Sequence, residues 1–395
     1  MTRSDNRTSL RTVGLFAGIG GIEVGLGRSG HSTELLCEID PGAVEVLHAH
    51  FPDTEIHTDV STLPALPECD LVAAGFPCQD LSQAGRTAGI GGTQSGLVEH
   101  VFRLLDMASP GPTWLLLENV PFMLSLDRGE AMRSLVDRLE ERGWTWAYRV
   151  VDSMAFGLPQ RRRRVILLAS RSEDPRPALL NQNHEPSLPE DPDGIHACGF
   201  YWTEGLRGLG WAVDAIPTLK GGSTIGIPSP PAIWDPNTGD LSTPDLIDAE
   251  RLQGFPAGWT VPAGITDARG PGRRWKLIGN AVSVPVAEWV GERIQTEEAY
   301  SSEADREIAG GRWPHAAWGF AGNRRKVEVT MWPVVRPRPH LLDFLNQEPK
   351  ALSARATAGF LDRTERGNLR ISEDFLLDAR RHLAIMSDEA QMALA

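Results

Sequence analysis

Val13-Gly14-Leu15-Phe16-Ala17-Gly18-Ile19-Gly20-Gly21 is the stretch that decides the fold: an apolar strand runs into a glycine-rich turn that opens a helix over Gly21–Arg28. Glycines in such a turn let the backbone come close to a ligand and adopt positive φ. The dinucleotide fingerprint G-x-G-x-x-G is not met, because Glu23 stands where its third glycine would be, and this speaks against a nicotinamide-dependent oxidoreductase. Twenty residues after Gly18, at the end of the next strand, comes Glu38 in Cys37-Glu38-Ile39-Asp40. An acid there suits hydrogen bonding to ribose hydroxyls. The following strand end carries Asp59-Val60, where a carboxylate can accept from an adenine amino group. A turn that serves packing alone is the bland alternative, and two acids at successive strand ends weaken it.

Outward from this turn, short apolar runs alternate with helix-like stretches as far as Ser170. Val13–Phe16, Glu34–Glu38, Leu71–Ala74, Trp114–Leu117 and Val165–Ala169 read as buried strands. Gly21–Arg28, Gly42–His50, Leu97–Ala108 and Arg128–Arg142 read as helices between them, so a parallel α/β sheet is expected. Residues 171–250, rich in Pro, Gly, Asp and Ser, break the pattern. Periodic signals return at Asp248–Leu252 and Ala281–Arg293, a linker or solvated helix covers 296–311, Lys326–Val335 reads as a strand and Asp374–Met386 as an amphipathic helix. Three regions follow: a catalytic domain over 1–170 and 276–298, an irregular domain over 171–275, and an extension over 299–395.

The chemistry concentrates just past strand ends, where open α/β sheets place ligands. Leu71–Ala74 leads into Gly75-Phe76-Pro77-Cys78-Gln79. A lone cysteine is usually a small buried hydrophobe, but a loop bounded by Gly and Pro is a poor place to bury one. The glycine-rich stretch Gln83–Gly96 that follows suits a lid. Trp114-Leu115-Leu116-Leu117 ends in Glu118-Asn119-Val120, and a carboxyl kept protonated after so apolar a run can act as a general acid. In Gln160-Arg161-Arg162-Arg163-Arg164, alternation puts Arg162 and Arg164 on one face, with Arg164 abutting a buried strand.

In this order, these pieces resemble the cytosine-C5 DNA methyltransferase family. Phe16-Ala17-Gly18-Ile19-Gly20-Gly21 and Glu38-Ile39 are similar to its motifs for S-adenosylmethionine (SAM), and Gly75-Phe76-Pro77-Cys78-Gln79 to its catalytic Pro-Cys motif. Glu118-Asn119-Val120 is similar to the motif whose Glu contacts the base, and Gln160–Arg164 to the Q-x-R-x-R motif, which maps the functional arginines to Arg162 and Arg164. Arg251-Leu252-Gln253-Gly254-Phe255-Pro256 resembles the late motif, and Gly279-Asn280-Ala281-Val282-Ser283-Val284-Pro285 the final one, which completes the cofactor pocket. The match spans residues 12–293 with a gap over 171–243.

The resemblance implies a Rossmann-like, SAM-dependent methyltransferase sheet with a smaller target-recognition domain and a C-terminal extension. It implies Cys78 as nucleophile, with Glu118, Arg162 and Arg164 as its catalytic companions. The cofactor would lie against Phe16, Ala17, Gly18, Ile19, Gly20, Gly21, Glu38, Ile39, Asp59, Val60, Gly75, Pro77, Asn280, Ala281 and Val282. Cys78 is followed by Gln where related tRNA methylases carry Cys-Phe-Thr, so double-stranded DNA is favoured over RNA as substrate. A base stacked in a duplex must be flipped out to meet a cysteine.

Composition bounds the rest. Four cysteines without a C-x-x-C pair speak against structural zinc and against a disulfide scaffold, so no metal is expected. No apolar run would span a bilayer, and the N-terminus has no signal-peptide character, so a cytoplasmic protein is expected. The net charge of −13 sits awkwardly with DNA, and residues 171–250 hold four basic and 13 acidic residues. Two roles are open for the extension: added basic surface through Arg324-Arg325-Lys326 and Arg336-Pro337-Arg338, or stabilisation and docking of defence-system partners. A degenerate DNA-binding subunit is the non-enzymatic alternative, disfavoured by intact Cys78, Glu118 and Arg164.

Overall fold

The computed structural model describes residues 9–76, 96–188, 191, 194–222, 230–264 and 270–392; Pro77, Cys78 and the expected lid over 83–95 lie outside the described residues. In chain order the strands are β1 (Arg11–Leu15), β2 (Ser32–Cys37), β3 (Glu55–His57), β4 (Leu71–Ala74), β5 (Trp114–Asn119), β6 (Thr145–Asp152), β7 (Gln160–Arg161) and β8 (Arg163–Ser170). They continue with β9 (Cys198–Phe200), β10 (Ala212–Val213), β11 (Ile216–Pro217), β12 (Ala232–Asp235), β13 (Asp240–Thr243), β14 (Arg306–Glu307), β15 (Ala316–Phe320), β16 (Asn323–Lys326) and β17 (Lys350–Ala351). Two compact units emerge. The first comprises Met1–Ala155, Arg163–Pro186 and Ala281–Val335; the second comprises Phe156–Arg162, Ser187–Asn280 and Arg336–Ala395. The extension from residue 299 onward is thus shared by both.

Among the described residues, the first unit holds one ten-stranded sheet in the order β14-β16-β15-β6-β8-β5-β4-β1-β2-β3. From β5 to β3 the neighbours are parallel, as the strand–helix alternation requires. The Val165–Ala169 strand departs from the expected parallel sheet: β8 runs antiparallel to both β5 and β6. The intervening β6, Thr-Trp-Ala-Tyr-Arg-Val-Val-Asp, escapes the apolar-run criterion because Arg149 sits in its middle. That arginine is fully buried and donates to the carbonyls of Thr330, Leu179 and Gln182 and to Asn183 Oδ1. The strand expected over Lys326–Val335 is β16 instead, ending at Lys326. Beyond it Thr330 turns to Asn183 and His184, and Pro333 has no N–H to give a ladder.

Register explains where chemistry can gather. Leu15 pairs with Cys37 on one side and Ala74 on the other, and Ala74 pairs with Leu117. Phe16, Glu38 and Gly75 therefore leave the sheet at its carboxyl edge, level with Glu118 near the end of β5. The helix Val284–Arg293 returns to this region by packing on Gly21–Arg28. A Cβ at Gly25 would meet Val284 O at 2.5 Å and Ala287 Cβ at 2.6 Å, so the contact demands glycine. Ser29 Oγ donates to Glu288 O (2.8 Å), and His31 Nε2 lies 3.1 Å from Gly291 O.

In the second unit, β10-β9-β12-β13-β17 form a five-stranded sheet among the described residues, with β7 and β11 as a separate parallel pair. The end of the chain is part of this fold: β17 pairs with β13, and helices Ala354–Arg366 and Glu373–Met392 cover the sheet. Phe360 and Phe375 each lie 5.0 Å from Phe200, ring centroid to centroid, and Phe375 lies 5.3 Å from Trp234. Fully burying one such ring stabilises by about 1.5–3 kcal/mol, so residues 350–380 supply much of this core. No helix among the described residues is long and apolar enough to cross a membrane.

Candidate active site

The glycine turn after β1 is held in an unusual conformation. Phe16, Gly18 and Gly20 have φ of 56°, 57° and 84°, the left-handed region that costs little only for glycine. Glu38 is its brace: Oε2 accepts from the Gly18 N–H at 2.8 Å and Oε1 from the Asp40 N–H at 2.7 Å. Asp40 in turn caps the helix Pro41–His50. Among the described residues nothing lies within 4 Å of a Cβ built on Gly18, beside the Glu38 carboxylate. Ile39, 69% exposed, offers an apolar face next to it, while Ile19, Gly20, Gly21 and Val60 are buried. Asp59 bonds Ser61, whose hydroxyl and N–H hold its carboxyl below the usual range. The open turn, an acid at its base and an exposed aliphatic side chain fit a nucleoside-bearing cofactor.

Glu23, where the fingerprint glycine is missing, has a consequence that the sequence did not disclose. It is buried, and its Oε1 occupies the space that a side chain on Gly14 would take, 2.1 Å from the Cβ position. Among the described residues Oε2 has no hydrogen-bond partner. Burial, with a smaller push from the Glu38 charge, raises its carboxyl to about 7 from 4.5. The folded state therefore holds a proton that the unfolded state has lost above pH 4.5, so this group's contribution to stability is greatest at low pH and falls as pH rises toward 7. The shift corresponds to about 3 kcal/mol. The melting temperature of Glu23→Gln relative to wild type should rise between pH 5 and 7.5; a difference that does not change with pH would remove Glu23 as the source.

Past β4, the position of Gly75 collects the other elements. A Cβ there would lie 3.8 Å from Glu118 Oε2, 3.9 Å from Val282 Cγ2 and 4.0 Å from Phe16 O. Glu118, expected as an isolated carboxyl in an apolar run, instead pairs with Arg164, Nε to Oε1 at 2.8 Å, with both side chains nearly buried. Arg164 also donates to Arg163 O at 2.7 Å. Asn119 was passed over in the sequence although it stands beside Glu118. It is buried and donates through Nδ2 to Phe76 O at 2.9 Å, tethering the residue that leads into Pro77-Cys78. The remaining cysteines are buried, and desolvation pushes Cys37 and Cys198 to about 12 and Cys69 to about 11, so none is a ready thiolate.

Arg162 does not share the surroundings of Arg164. It belongs to the second unit, is buried, and donates to Leu219 O at 2.9 Å and Gly279 O at 3.2 Å. Gln160 accepts from Leu219 N–H (3.0 Å) and donates to Leu252 O (2.7 Å), while Gln253 donates to Ile278 O (2.9 Å). Asn280 also lies in this unit, its amide against Gly221, whereas Ala281 and Val282 lie in the first. Three acids of the segment, Asp214, Asp248 and Glu250, are buried. Glu250, fully buried, accepts from the Trp259 and Thr260 N–H groups and from Arg274, and Asp248 from Asn346, Gln347 and Arg251. In the extension, Arg324 pairs with Asp137 and Glu140, and Arg338 with Asp214.

The mixed sheet and the turn at its carboxyl edge define a Rossmann-like methyltransferase fold. Solved methyltransferases of Schizosaccharomyces pombe (Dnmt2) and Entamoeba histolytica (EhMeth) share it, with TM-scores of 0.51 and 0.52 at 16% and 15% identity. The alignments cover 71% and 73% of this chain and 97% and 98% of those chains. The profile of C-5 cytosine-specific DNA methylases matches residues 10–204. Type II methyltransferase M2.BsuMI of Bacillus subtilis is 49% identical over 383 residues, 94% of this chain and 98% of that protein. M.NlaX of Neisseria lactamica is 27% identical, over 75% of this chain and 99% of its own. The chain belongs to the C-5 cytosine-specific DNA methylases and is a DNA (cytosine-5-)-methyltransferase.

Proposed function

We propose that the protein methylates C5 of cytosine within one specific sequence of double-stranded DNA, through a covalent adduct on Cys78 with the target base flipped out. The observation that carries this reading is the Glu118–Arg164 pair beside Gly75, three residues before Cys78 at the carboxyl edge of the sheet. SAM, bound between the Phe16–Gly21 turn, Glu38 and Ile39, with Asp59 and Val282 as further contacts, would supply an activated methyl group. Cytosine C5 is a poor nucleophile until another nucleophile adds at C6. The Cys78 thiolate adds to C6 as N3 takes a proton or hydrogen bond from Glu118, which leaves C5 enamine-like. Arg164 fixes Oε1 of Glu118, so Oε2 addresses the base. Once C5 has taken the methyl group, its proton leaves to a base and the C6–S bond breaks, restoring the thiolate. Asn119 holds the approach to Cys78, and Arg162, with its two carbonyl partners, organises the second unit rather than touching the base.

Sequence recognition is assigned to the second unit. The Type II names of the relatives support a place in a bacterial restriction-modification system. Nucleoside mass spectrometry of nucleic acids from expressing cells tests the substrate. New 5-methylcytosine is expected in the DNA fraction and none in RNA; the reverse would favour an RNA cytosine methylase.

A further inference from the structure

Lys220 lies in the second unit, within Thr218-Leu219-Lys220-Gly221-Gly222, and its backbone is fixed from several directions. Thr218 Oγ1 donates to Arg161 O (2.8 Å), and Tyr201 donates its phenol hydrogen to Thr218 O (2.7 Å). Gln160 and Arg162 hold Leu219 as described. Gly279 lies so close that a Cβ on it would meet Lys220 C at 2.1 Å, and one on Gly221 would meet Asn280 Oδ1 at 2.2 Å.

The side chain is equally placed. Its ammonium stands 3.5 Å from the centroid of the Tyr201 ring and 2.5 Å from Glu204 Oε1, with both charged side chains about 40% exposed. Tyr201 is itself held: Gly210, at φ 64°, leaves the space that its ring edge fills, and burial pushes its phenol up to about 12, so it stays a neutral platform. Helix Ala354–Arg366 fixes the loop that carries Glu204, Arg363 donating to Trp202 O at 2.7 Å and Glu204 O at 3.2 Å.

We propose that Lys220 is a contact to the DNA backbone phosphates, held ready on Tyr201 and masked by Glu204 until DNA displaces the acid. The inference rests on the reading of the second unit as the DNA-recognising part. An exposed ion pair and an exposed cation–π contact are each worth only ~1 kcal/mol or less, so a phosphate of the densely charged duplex can take the ammonium over. Glu250 and Asp248, by contrast, are buried and already paired with Arg274 and Arg251. The positioning role of Arg363 also gives the end of the chain a part in DNA binding without touching DNA.

The test is the salt dependence of binding of the full-length protein to a labelled duplex, for wild type, Lys220→Met, Lys220→Arg and Glu204→Gln, with melting temperatures checked for each. Lys220→Met should weaken binding about threefold to tenfold at low salt and reduce the slope of log K against log salt by about 1, and Lys220→Arg should restore both. Glu204→Gln should tighten binding. A wild type without measurable duplex binding overturns the recognition reading and this inference with it. Wild-type binding that Lys220→Met leaves unchanged in affinity and slope overturns this inference alone.

Discussion

Cys78→Ser is expected to leave genomic cytosines unmethylated in cells where the wild-type protein methylates them, with bisulfite sequencing as the readout. A serine hydroxyl at neutral pH is a far weaker nucleophile than a thiolate. The other three cysteines cannot substitute, being buried and raised to about 11 or 12. The variant should keep the wild-type melting temperature. Methylated cytosines appearing equally in both would refute the role of Cys78. The wild-type data would also supply the recognition sequence.

Arg164→Ala should have the next largest effect. Its removal strips the guanidinium from Glu118, whose side chain is only 12% exposed, and leaves a carboxylate among apolar neighbours. Breaking such a pair costs about 3–5 kcal/mol, here spread between lower stability and a displaced carboxyl. Without Arg164 to orient Glu118 toward N3, kcat falls by roughly 10²–10⁴-fold. Glu118→Gln separates the two effects: it keeps the shape and a hydrogen bond to Arg164, so it should melt near wild type yet lose a similar factor in kcat. Arg164→Lys should rescue poorly, since an ammonium lacks the fork that reaches both Glu118 and Arg163 O. Steady-state rates within threefold of wild type for Arg164→Ala would remove Glu118 and Arg164 from the chemistry.

How far the sequence carried these residues depends on whether local pattern determined their surroundings. The turn Phe16–Gly21, the brace at Glu38 and the strand ends at Gly75 and Glu118 were legible because each is a short-range signature: an apolar run, then glycine or an acid. The partner of Glu118 was not, since it depends on β8 running antiparallel beside β5. Arg162 and Arg164 look equivalent by alternation, but the chain passes from β7 to β8 between them and gives them different partners. Glu23 reads as a broken fingerprint, and only the missing side chain at Gly14 shows where its carboxylate goes. β6 was hidden by Arg149, a charged residue made tolerable in the core by carbonyls of segments far along the chain. The extension was illegible for the same reason: Phe360 and Phe375 find Phe200 and Trp234 across more than a hundred residues of sequence.

Covalent capture tests the central claim most directly. The purified protein is mixed with SAM and a duplex that carries 5-fluorocytosine at the target position, and the product is analysed by intact mass and peptide mapping. After addition and methylation, C5 bears fluorine instead of a removable proton, so the C6–S bond cannot be released. The account predicts a stable protein–DNA adduct, heavier by one methyl group, whose cross-link maps to Cys78 and which Cys78→Ser does not form. An adduct on another residue, or none under conditions where the ordinary duplex is methylated, would contradict it.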